Sequence, residues 1–199
     1  MSRYKTIKKN VSNVLLKEKS SKFLGFACPV NSESEAKNYI EKLRTHHPKA
    51  THHCYAYRLG TYGETYRIND DGEPTGSAGL PIYNQLLSHN ITHVLLVVVR
   101  YFGGTKLGIG GLIKAYKSTA KFTLDYAEII IREATLIIKL ESDYSFQHII
   151  YKLLEKYRAA VIGSYPEKTC KIIAEIKLSE KEFLIKDLSQ MESVRYTIE

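Results

Sequence analysis

VLLVVVRYFGGTKLGIGGL, Val94 to Leu112, is the stretch around which the rest of the chain is organised. Six apolar residues, Val94 to Val99, run without alternation, which suits a strand buried on both faces. After Arg100, Tyr101 and Phe102 come five glycines within nine residues: Gly103, Gly104, Gly108, Gly110 and Gly111. Glycine permits tight turning and close approach of a ligand to the main chain. From Leu112 the spacing is helical, with Leu112, Tyr116, Thr119, Ala120 and Thr123 on one face and Lys114, Lys117 and Lys121 on another. The stretch therefore reads as strand, glycine loop and helix. Free N–H groups at the helix start, the helix dipole and Lys106 make an anion site there.

Two standard nucleotide loops are excluded. Gly103 and Gly108 have P-loop separation, but Ile109 and Gly110 stand where Lys and Ser or Thr are required. Counting from Gly108 and Gly110, the third glycine of a dinucleotide fingerprint falls at Ile113. A purely structural role, a sharp turn and close helix packing, stays open beside anion binding.

Charge divides the chain. Residues 1–130 carry eighteen Lys and Arg against ten Asp and Glu, whereas residues 131–199 carry eleven of each. The whole formal excess of +8 thus lies in the first part, which favours a polyanionic partner. No stretch approaches the roughly 18 uninterrupted apolar residues of a membrane span. The opening MSRYKTIKKN lacks the apolar segment of a secretory signal. Three cysteines without a CxxC do not read as a disulfide framework, and a reducing cytoplasm is the expected compartment.

Ahead of the central stretch, Tyr4 to Lys8, Val11 to Lys17 and Lys22 to Val30 read as strands. Ser32 and Glu35 have capping-box spacing for a helix ending near His46. THHCYAYRL, Thr51 to Leu59, reads as an alternating, half-buried strand, with Tyr66 to Asn69 as its partner. His52 and Cys54 point away from His53 on such a strand, which argues against zinc and against a Cys54–His53 nucleophile pair. NDDGEPTGSAG, Asn69 to Gly79, brings Asp70, Asp71, Glu73, Thr75 and Ser77 into one loop. Such oxygens suit a hard cation or an activated water, but DDGEP is also an ordinary turn composition and lacks the further oxygen positions of an EF-hand loop, so the plain turn is the favoured reading. Pro81 then opens a helix over Leu80 to Ser88, and His93 begins the central strand.

After Tyr126 the elements read as Glu133 to Leu140, a helix from Phe146 to Tyr157, strands Ala159 to Ser164 and Thr169 to Lys177 around a turn at Pro166, a helix Glu180 to Gln190, and a strand Val194 to Ile198. That is βαββαβ, with helices on one face of an antiparallel sheet. The expected class is α+β in two domains, residues 1–130 and 131–199.

THHCYAYR (Thr51 to Arg58), DDGEPTGSAGLPI (Asp70 to Ile82) and VVVRYFGGTKLGIGGLIKAY (Val97 to Tyr116) together resemble the motifs of the IMPACT/YigZ family, and the likeness spans essentially the whole chain. The resemblance implies an N-terminal ribosomal-protein-like βαβ superfold similar to domain IV of elongation factor G. It also implies a C-terminal ferredoxin-like βαββαβ domain similar to that factor's domain V. Through its eukaryotic relatives, linked to translational control by competition for a regulator of an initiation-factor kinase, it implies a role in translation.

Three functions follow as expectations. The first is a non-catalytic protein binding RNA or the ribosome, with Arg100, Lys106, Lys114, Lys117 and Lys121 on phosphates, backbone N–H groups from Gly103, Gly104, Gly108, Gly110 and Gly111 assisting, and Tyr101 or Phe102 stacking on a base. The second is an enzyme for a phosphate-containing ligand, using Asp70, Asp71 or Glu73 as a base or metal support. The third is a protein-interaction module docking through the uncharged C-terminal domain. No metal or cofactor and no membrane partner is expected.

Overall fold

The computed structural model describes residues 3–166 and 169–198. Two compact units emerge, Tyr4–Arg132 and the residues from Glu133 onward together with Arg3. In chain order the elements are β1 (Arg3–Ile7), β2 (Val11–Glu18), β3 (Ser21–Pro29), α1 (Glu33–His46), β4 (His52–Leu59), β5 (Thr65–Asn69), α2 (Gly79–Ser88), β6 (Val94–Tyr101), α3 (Gly108–Asp125), β7 (Ile129–Glu133), β8 (Thr135–Asp143), α4 (Gln147–Lys156), β9 (Ala160–Pro166), β10 (Thr169–Lys177), α5 (Lys181–Leu188) and β11 (Val194–Ile198).

The first unit is a five-stranded sheet in the order β2-β3-β6-β4-β5, antiparallel throughout, with β6 at its centre. Helices cover both faces, which is why β6 carries no alternation. Val94, Leu96 and Val98 pack with residues of α2 and α3, whereas Leu95, Val97 and Val99 pack with Ala36, Ile40 and Leu43 of α1. The same enclosure corrects the half-buried reading of β4, which is buried along nearly its whole length. A sixth strand, β1, pairs instead with β7 in a separate two-stranded sheet; the sequence reading did not single out β7.

Local chemistry sets the helix ends. Ser32 caps α1 by accepting the Glu35 N–H at 3.1 Å, while the Glu35 carboxylate accepts the Asn31 N–H at 2.8 Å, one residue before the cap. Among the described residues no side chain caps α3, and its first turn holds no acidic residue. The helix begins at Gly108, not at Leu112, so Gly108, Gly110 and Gly111 belong to its first turn and the glycine loop proper is residues 102–107. The apolar face is the one the spacing predicts, with Leu112, Tyr116, Thr119, Ala120 and Thr123 all buried. Gly25 on β3 lets α3 approach closely: a Cβ there would meet Thr123 Oγ1 at 1.8 Å.

In the second unit β8, α4, β9, β10, α5 and β11 follow one another as expected. The sheet is antiparallel, in the order β11-β8-β10-β9. Leu136, Ile138 and Leu140 on β8 and Cys170, Ile172, Ala174 and Ile176 on β10 share one core with Ile150 and Leu154 of α4 and Leu184 and Leu188 of α5. Pro166, where the sequence reads a turn, is the last residue of β9, and residues 167 and 168 beyond it lie outside the described residues.

Candidate functional site

The C-terminal end of β6 brings the acidic loop and the base of the glycine loop together. Arg100 emerges on the face that holds Phe23 and Tyr116, is 5 % exposed, and donates from Nη1 to Glu73 Oε1 at 2.6 Å. Tyr116, fully buried on α3, donates its hydroxyl to the same oxygen at 2.7 Å. His52 Nε2 lies 3.8 Å from that oxygen, and the ring donates from Nδ1 to the Asp71 carbonyl at 2.8 Å. The Cys54 thiol donates to the Asp70 carbonyl at 3.0 Å and sits 3.3 Å from the Tyr116 hydroxyl. Burial above all pushes both the thiol and the phenol up, so each stays protonated and neither is a ready nucleophile.

This geometry changes the expectation for Arg100. It does not reach the surface to meet phosphates, because its charge is neutralised inside by Glu73; its guanidinium lies between the Phe23 and Phe102 rings, 5.4 Å from each centroid. The acidic loop is likewise committed to the protein's own donors. Asp70 accepts from the backbone N–H groups of Gly76, Ala78 and Gly79 at 2.8, 3.0 and 2.8 Å, and so caps α2 from a distance. Asp71 accepts from Arg44 and from the His53 N–H, each at 2.6 Å. Ser77 is buried and donates to the Pro74 carbonyl, whereas Thr75 is exposed. Among the described residues no three His, Cys, Asp or Glu side chains are grouped to hold a metal.

The glycine loop and the first turns of α3 present the outer surface. Lys106, Lys114 and Lys117 are exposed and, among the described residues, without an ion pair; Lys121 is paired with Asp125 at 2.8 Å. Gly104 and Gly108 have φ of +86° and +72°, which explains glycine at those two positions. Gly110 is different. Its φ is ordinary and a Cβ would meet nothing within 4 Å, so neither backbone nor packing requires glycine there.

Buried ionisable groups of the first unit make stability depend on pH. Burial, reinforced by the Arg44 charge, holds the His53 imidazole below its ordinary value, and burial does the same for His93. Burial alone would raise Asp71, but the hydrogen bonds from Arg44 and His53 outweigh it and hold the carboxyl below its usual range. All three folded values are depressed, so the unfolded chain takes up protons first and stability falls with pH. The thermal midpoint should decline below about pH 6.5 as unfolded histidines titrate, and again below about pH 4 as unfolded Asp71 does. A melting series that stays flat across the first of these ranges would contradict the buried, neutral histidines.

Sequence reasoning missed the Glu73–Arg100–Tyr116 network as a unit. Glu73 and Arg100 are 27 positions apart, and only the strand register carries Arg100 back to the acidic loop.

Comparison with known proteins places the chain. The Impact N-terminal domain matches residues 19–124. The IMPACT family member YvyE of Bacillus subtilis is 32% identical over 193 residues, covering 97% of this chain and 77% of that protein. An IMPACT family member of Haemophilus influenzae is 30% identical over 183 residues, 91% of this chain and 89% of that protein. A crystal structure described as that of a hypothetical protein superposes with a TM-score of 0.77 at 26% identity, covering 98% of this chain and 97% of the other.

Proposed function

The chain belongs to the IMPACT family, and from that premise we propose that it is a cytoplasmic protein that binds RNA or the ribosome and influences translation without chemistry of its own. The observation that carries this reading is the uncapped, glycine-built N-terminus of α3, flanked by the unpaired Lys106 and Lys114. Free N–H groups, the positive end of the helix dipole and two exposed cations form a phosphate-binding surface. Lys117 extends it along the helix. The corresponding βαβ and βαββαβ elements we take as similar to domains IV and V of elongation factor G, the second ferredoxin-like. Its surface is the place for a protein partner.

The enzyme alternative has less to support it, since Asp70, Asp71 and Glu73 are each engaged by donors of the protein itself. Binding to bulk RNA and to ribosomes across a salt series tests the proposal. The Lys106→Glu/Lys114→Glu variant should bind at least tenfold more weakly, and its slope of log K against log salt should drop by about 2, one for each lost phosphate contact. An unchanged slope would remove the function from this surface.

A further inference from the structure

We propose that a groove beside the glycine loop holds a single-stranded segment of RNA, with one base stacked on Phe102 and its phosphate between Lys17 and Lys22; this rests on the RNA-binding reading above and names the form of RNA taken. The groove, about 600 Å³, lies over β2, β3 and the end of β6, on the face that α1 covers elsewhere, and is lined by Leu15, Lys17, Ser20, Lys22, Tyr101 and Phe102, with Leu24 and His47. Among the described residues no carboxylate lines it.

The strand register makes the case. Lys17 stands directly opposite Lys22 on β3, and Lys22 directly opposite Tyr101 on β6. Like charges directly opposite each other destabilise a sheet, and neither lysine has an ion pair among the described residues. Packing gives no reason for this pair, but an anion between the two ammonium groups does. At the end of the row the His47 ring and the Tyr101 hydroxyl are hydrogen-bonded at 2.8 Å, which fixes the Tyr101 ring as a wall. Phe102 is 45 % exposed with the Arg100 guanidinium near its ring, so it is held from inside while remaining open to a base. Cations along a groove with aromatic faces are the chemistry of single-strand binding, because every base offers a π-face to stack and every nucleotide a phosphate. A duplex, its bases stacked on one another, cannot use Phe102 in this way. An acidic peptide would satisfy the lysines but leave the aromatic face unused.

The test measures affinity of the full chain for a labelled oligouridylate and for an RNA duplex of equal phosphate count. Phe102→Ala should weaken the single strand about tenfold and leave the duplex unchanged. Lys22→Glu should also weaken the single strand while raising the thermal midpoint, since it replaces a like-charge pair with an opposite one; a lysine kept for structure would move both quantities together. Equal losses on strand and duplex, or none, would overturn the inference. So would displacement of the oligouridylate by polyglutamate as effectively as by unlabelled oligouridylate at equal charge. If the parent protein binds no RNA of either form, the RNA reading itself fails. If it binds both with a salt slope set by Lys106 and Lys114 but ignores Phe102 and Lys22, only the groove assignment fails.

Discussion

Glu73→Ala should remove about 3–5 kcal/mol from the stability of the first unit, a large share of what a domain of this size has to lose. Glu73 and Arg100 have side chains only 4 % and 6 % exposed, and their contact is 2.6 Å. Removing the carboxylate leaves the guanidinium charged and without its counterion in the interior, and the Tyr116 hydroxyl loses the acceptor it reaches at 2.7 Å. The Coulomb attraction itself is not what makes the variant costly. Desolvating both ions offsets most of that attraction, so the loss comes from stranding one of them. A Glu73→Gln/Arg100→Met double variant, which removes both charges at similar volume, should therefore cost far less than Glu73→Ala, and a double-mutant cycle should report strong coupling. Hydrogen exchange of the β6 amides in urea reads this unit specifically. A single-variant loss under about 1 kcal/mol, the range of an exposed ion pair, would mean the charge finds water.

That pair also shows where sequence reading reaches its limit. The run Val94 to Val99 announces burial on both faces because apolar side chains of either parity must each have a core, and two cores are what the sheet and its helices supply. Helical spacing from Leu112 onward likewise identifies the buried face of α3, since that face is a property of the helix alone. Arg100 is another matter. A cation at a strand end beside glycines has the composition of a phosphate ligand, and only long-range register reveals that Glu73 already neutralises it. The start of α3 is hidden in the sequence for a local reason: three glycines in four residues look like loop, although a first helical turn tolerates them where N–H groups are free. The lysine pair of the groove was legible as residues but not as a pair, because opposition across β2 and β3 exists only once the hairpin register is known.

Gly103→Ala and Gly110→Ala should move stability in opposite directions and RNA affinity in the same one. At Gly103 an added Cβ would lie 1.9 Å from the Ser20 carbonyl oxygen and 2.0 Å from its carbon, both backbone atoms that cannot rotate aside. The loop must therefore lift from the β2–β3 turn, stretching the bond that the Gly103 N–H donates to Ser21 Oγ at 3.2 Å. Overpacking of this kind costs about 1–3 kcal/mol. Because Phe102 and Lys106 ride on the same loop, RNA affinity should fall as well. At Gly110 the added methyl meets nothing within 4 Å, and exchanging helical glycine for alanine should stabilise the unit by about 0.5–1 kcal/mol. If RNA closes onto the first turn of α3, that methyl stands where the phosphate approaches the backbone, and affinity drops although the protein is more stable. Thermal melts and RNA titrations of the two variants separate the possibilities. A Gly110→Ala protein that is more stable and binds RNA as tightly as its parent would leave the glycines with a purely structural part, and would move the phosphate contact away from the helix start.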